Sequence, residues 1–184
     1  MSYIRVTEDH TAQVERSIKG MIGKHVLIGI PEDEDARTKG EKIGNAAIAY
    51  INDNGSPKLN IPARPFLKVG VEQSFPKALK ALKAYAVKAF KDPSQLDKGL
   101  AAAGMIARDA VKRRITSQQG FAPLSFYTLQ ARLKGGFHQG LRAAKWEGSF
   151  GGKKMKGGFS GTKALIVTGS LLNSITYVVK KRNG

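Results

Sequence analysis

The chain has 184 residues, 41% of them hydrophobic, with eight Phe and one Trp, enough for one domain with a real core; a chain of this length buries roughly 70% of its unfolded surface. It has no Cys, which excludes a disulfide framework or a thiolate metal site and fits a reducing compartment. Its 31 Lys and Arg against 14 Asp and Glu give a net charge of +17.

That charge is uneven. Residues 1–60 carry 8 basic and 9 acidic side chains, leaving 23 basic and 5 acidic for residues 61–184. After Asp109 the only acid is Glu147. An excess of this size is the electrostatic footprint of a polyanion or of an acidic protein neighbour. Residues Met1 to Val14 lack the apolar core of a signal peptide, and no stretch of about 18 apolar residues could cross a membrane.

Taken in chain order, Thr11 to Gly23 reads as a short amphipathic helix, with Val14, Ile18, Met21 and Ile22 at helical spacing. Val26 to Ile30 is a compact apolar run closed by Pro31, the pattern of a buried strand. The acidic run Glu32, Asp33, Glu34 and Asp35 follows. Adjacent carboxylates on an extended loop do not converge on a cation, so this run reads as a solvated loop or as one half of a subunit contact. Ile43 to Ile51 suits helix or strand. Asn52 to Pro57 ends that element, because Gly55 accepts positive φ and Pro57 cannot continue a helix.

Ile61-Pro62-Ala63-Arg64-Pro65-Phe66-Leu67 contains two prolines three apart, predicting a rigid, extended surface segment. Pro62, Arg64, Pro65 and Phe66 are its candidate partner contacts, alongside the acidic run. The strongest helical pattern runs from about Phe75 to Phe90, with Leu79, Leu82, Tyr85 and Ala89 on the apolar stripe. Asp92, Pro93 and Gln95 supply the start of a second helix reaching about Ser117, its inner face Leu96, Leu100, Ala103, Ala107, Val111 and Ile115. The short joint between them favours an antiparallel hairpin.

A further short helix is expected over 125–133, capped by Ser125. Residues 135–161 then hold nine glycines, too many for a helix or a central strand, and predict a long projecting loop or arm. Thr168 should cap a helix of one or two turns, followed by an alternating edge strand from Thr176 to Lys180.

No catalytic constellation accompanies these elements. His10, His25 and His138 lie far apart, and no nucleophile elbow, phosphate loop or dinucleotide fingerprint is present. The expectation is a protein without catalytic residues, cofactor or metal. Lys112, Arg113, Arg114, Lys153, Lys154 and Lys156 are candidates for contact with DNA or an acidic surface.

Three segments resemble the virion-morphogenesis or tail-completion family of tailed bacteriophages, the group that includes the phage Mu type. They are Asn45 to Leu67, with Ala-Ala-Ile-Ala-Tyr-Ile, Gly-Ser-Pro and Ile-Pro-Ala-Arg-Pro-Phe-Leu; Ala122-Pro123-Leu124-Ser125 with Thr128, Leu129 and Arg132; and Leu165 to Val179. The pattern departs at Val167, where the family carries Asp. The resemblance implies a small α+β protein, here a small sheet packed against a long helical hairpin with an extended Gly-rich arm. It also implies a structural virion component that forms a homo-oligomeric ring, expected as a hexamer, at the head–tail junction or upper tail end. Its partners would be other neck, connector or tail-tube proteins, with possible genomic DNA in the lumen and no membrane; assembly would take place in the host cytoplasm. The alternative is a basic nucleic-acid-binding protein acting outside a ring.

Overall fold

The computed structural model describes residues 11–35, 43–125, 128, 129, 132, 142–150, 153–160 and 163–181. Helix α1 (Thr11–Ile22) leads into strand β1 (Lys24–Gly29); α2 (Asn45–Asn54), α3 (Leu67–Ala89) and α4 (Gln95–Ser117) follow. Strands β2 (Arg142–Phe150) and β3 (Lys153–Ser160) precede the short helix α5 (Ser170–Ser174) and strand β4 (Thr176–Lys181). The fold is α+β: a two-stranded antiparallel sheet, β1 with β4, packed on the long α3–α4 hairpin.

The hairpin closes where the sequence placed its turn. The Asp92 carboxylate accepts from the Ser94 N–H at 3.0 Å, the Ser94 hydroxyl at 2.9 Å and the Gln95 amide at 2.8 Å. These donors hold the Asp92 carboxyl below its ordinary range, the Gln95 bond contributing most. Small residues then let the elements approach closely. A Cβ on Gly70 would sit 2.8 Å from the Val111 Cα, and one on Gly99 would sit 2.6 Å from the Tyr85 Cβ. A Cβ on Gly104 would collide with the Tyr177 ring of β4.

Two apolar clusters fill the interior. Phe66, Val111, Ile115 and Ile175 form one, with Ile28, Leu165 and Leu172 against it; Ala89, Leu96 and Leu100 form the other, with Val26 and Val179 against it. The sheet register explains why both clusters receive strand residues, since Val26 pairs with Val179 and Ile28 with Tyr177. Period-two alternation carries both pairs to one face of the sheet. An ion pair from Lys24 to Asp97 ties β1 to α4, and the Gln13 amide donates to the Lys91 carbonyl at 2.7 Å, fastening α1 beside the hairpin joint.

Three sequence expectations need correction. Helix α3 begins at Leu67 rather than near Phe75, with Pro76 inside it. The Asp53 carboxylate, carried on α2, accepts from the Leu67 N–H at 2.7 Å and starts the helix. Pro76 and Glu72 lie on the exposed side, so water can reach the carbonyl that the proline leaves without its helical donor. Strand β1 is half-exposed rather than buried, Leu27 being 47% exposed, because a two-stranded sheet has only one covered face. Lastly, the glycine-rich segment contains strands: β2 and β3 pair antiparallel from Arg142↔Ser160 to Phe150↔Lys153, with an irregularity between Ala144 and Glu147. They form a separate sheet in which each strand has one partner, a setting in which glycine is tolerated better than in a central strand. Leu133 of the expected short helix, residues 135–141, His10 and His138 lie outside the described residues.

Candidate functional site

The segment from Ile61 to Phe66 starts from a tight loop. Gly55 has φ +77, and a Cβ there would lie 2.7 Å from the Ala63 nitrogen, so only glycine fits without strain. Ser56 and Ile61 then exchange two backbone hydrogen bonds, of 2.8 and 3.0 Å. The segment is pinned by the Arg64 N–H donating to the Asn52 carbonyl at 2.7 Å. Arg64 and Phe66 both turn inward, 5% and 1% exposed, Phe66 already in helical geometry at the start of α3.

This corrects the reading of Arg64 and Phe66 as partner contacts on the surface. Phe66 is core. Pro62 is exposed and Pro65 half-buried. The Arg64 guanidinium donates from Nε to the Ala122 carbonyl at 3.1 Å and from Nη2 to the Pro123 carbonyl at 3.3 Å. It thereby fastens the second motif segment to the first. Arg132 does the same for the third, Nη1 donating to the Lys163 carbonyl at 3.0 Å and the Ile166 carbonyl at 3.4 Å. Asn45 and Ser170 join α2 to α5 through bonds of 3.1 and 3.3 Å. Gln118 supports the same wall, accepting from the Ala164 N–H at 2.6 Å and donating to its carbonyl at 3.0 Å.

All three segments line one cleft of about 480 Å³. Ile48, Ile61, Pro62, Leu124, Leu165 and Leu171 make its walls largely apolar, and Arg64 and Arg132 are its two cations. Burial lowers the Arg64 pKa; burial and then the charge of Arg64 lower that of Arg132. Both stay cationic, since a guanidinium does not lose its proton in a protein. Among the described residues neither has a carboxylate partner. A buried and a half-buried cation side by side, held among the described residues by backbone carbonyls, are an electrostatic surplus that an anion would relieve.

The other candidates lie elsewhere in the fold. Glu32, Asp33 and Glu34 form an exposed 3-10 turn. Asp35 does not share their availability, because its Oδ1 accepts from the Ala46 N–H at 2.6 Å at the start of α2. On α4, Arg113 is exposed and Lys112 half-buried, while the Arg114 guanidinium lies over the Phe121 ring at 5.6 Å. The Arg114 Nε is buried without a hydrogen-bond partner. Lys153, Lys154 and Lys156 are in β3, opposite Phe150, Ser149 and Glu147. Among the described residues no three His, Asp or Glu converge on a metal position, and no helix is long and apolar enough to cross a membrane.

Sequence reasoning did not single out Arg132 or Gln118 as site residues. The signal for Arg132 was its place in the second motif segment, seven residues beyond Ser125. For Gln118 there was none, since its bonds run to a residue 46 positions away. No family model, curated protein or solved structure matches this chain.

Proposed function

We propose that this protein is a structural subunit of a tailed-phage virion, assembling as a ring, expected as a hexamer, at the head–tail junction or upper end of the tail. The supporting observation is that the three segments carrying the family resemblance, separated by as many as 125 residues, form one bonded unit around the cleft. A resemblance arising by chance would not be expected to select a single spatial unit. Large exposed apolar side chains, Tyr50 at 72%, Val87 at 69% and Phe75 at 63%, are surface that assembly would cover.

The purified chain, imaged by negative-stain electron microscopy and sized by light scattering, should form closed rings without nucleic acid. A monomer or dimer that stays so with connector and tail-tube proteins present overturns this reading. Duplex binding by that monomer, weakening with salt at a slope of roughly −0.9 per phosphate neutralised, would instead favour the nucleic-acid-binding alternative, which the 23 basic residues after position 60 support.

A further inference from the structure

The cleft holds two cations that no carboxylate among the described residues answers. Arg64 is 5% exposed, its Nε and Nη2 are spent on the Ala122 and Pro123 carbonyls, and among the described residues Arg132 beside it bonds only to carbonyls. Retaining a buried cation beside a half-buried one needs compensation. A planar guanidinium presents paired donors that match a carboxylate. The apolar walls and the volume of about 480 Å³ exceed what a bare inorganic ion fills, and suit a carboxylate that arrives on a peptide with apolar neighbours.

We propose that the Arg64–Arg132 cleft is the receptor for the acidic turn Glu32-Asp33-Glu34 of a second copy of this chain. That turn is exposed, three adjacent carboxylates have no ion pair among the described residues, and Ile30 and Pro31 precede them as apolar flanks. No other run of adjacent acids occurs beyond residue 35 in this basic sequence. Cleft and turn are different surfaces, so the contact is heterologous and propagates from copy to copy, closing into a ring when the rotation allows. The inference rests on the assembly reading above and names the contact that would build it.

The recipient for a binding test is the full chain carrying Glu32→Gln, Asp33→Asn and Glu34→Gln, which empties the cleft without touching a buried group. A synthetic Ile-Pro-Glu-Asp-Glu-Asp peptide should bind it about tenfold or more tighter than the Ile-Pro-Gln-Asn-Gln-Asp peptide, the gain expected of a charge-assisted bond. The difference should vanish in Arg132→Gln. Because Arg132 also holds backbone carbonyls and its loss could disturb folding, a second measurement leaves both arginines in place. The chain has no Cys, so with diamide as the oxidant Ser125→Cys protein mixed with Asp33→Cys protein should form a mixed disulfide dimer faster than either protein alone forms its own disulfide dimer.

Equal affinity for the two peptides overturns the inference, as does an absent mixed dimer. Tight binding of inorganic phosphate with no discrimination between peptides also overturns it. Rings that persist in the triple-neutral variant remove the contact while leaving the ring reading intact. Peptide discrimination by a wild-type protein that never forms rings does the reverse: the acidic turn keeps its receptor and the ring reading fails.

Discussion

The helical hairpin and the cleft are held together by different physics. Between α3 and α4 the adhesive is shape: Gly70, Gly99 and Gly104 bring backbones and rings into contact, and aliphatic side chains fill what remains. Around the cleft the adhesive is polar: Arg64, Arg132, Gln118 and Asn45 each reach across long sequence separations to a backbone or hydroxyl partner. The first kind of region tolerates changes of polarity poorly and changes of volume worse. The second tolerates volume and depends on every bond being made. Such a division suits a rigid core carrying a surface still able to receive a charge.

Phe66 is where the two regions meet, and its removal should have the largest effect. Phe66→Ala should cost about 3–5 kcal/mol, read as a lower denaturation midpoint, and should loosen the cleft as well, because Arg64 lies two residues away. Gly104→Val tests the shape-held region alone. The added methyls meet the Tyr177 ring, and the expected loss is about 1–3 kcal/mol with the cleft's peptide discrimination intact. A comparable defect in binding would break the distinction drawn here.

Gln118→Ala tests the polar region. It leaves the Ala164 N–H and carbonyl without their partner, for about 1–3 kcal/mol, and hydrogen exchange should speed at Ala164 before the α3–α4 amides respond. Asp53→Ala removes the cap on the Leu67 N–H, at about 0.5–2 kcal/mol, and should fray the first turn of α3. The smallest effect is expected from Asp92→Ala at the exposed hairpin joint. Hydrogen bonding depresses the Asp92 pKa in the folded state, so its contribution is present above the ordinary carboxylate pKa. It is lost as the pH falls through the depressed value. An acid titration followed by circular dichroism should therefore show wild type and Asp92→Ala converging at the acid end.

Much of the secondary structure was legible locally. The stripe from Leu96 to Ile115, the Asp92 turn and the alternation from Thr176 to Lys180 each depend on neighbours within a few residues, and each forms near the expected bounds. Helix α3 was read eight residues short: its apolar stripe was traced only from Phe75, and the true cap, Asp53, lies fourteen residues before Leu67. The strands β2 and β3 were missed because glycine counts report backbone freedom, whereas cross-strand pairing depends on a second segment.

For the site, sequence supplied the three segments and the acidic run but not their roles. The prolines at 62 and 65 fix φ twice; they do not say which side chains of the segment face inward. Only the packing of Phe66 against Val111, Ile115 and Ile175 decides that, and by burying Phe66 it carries Arg64 in with it. Composition likewise determined that the second part of the chain is strongly basic, while the tertiary structure decided which two of those cations come together, one buried and one half-buried, without a carboxylate among the described residues. Charge is a local property that adds along the chain. Desolvation is created only when distant segments close over it.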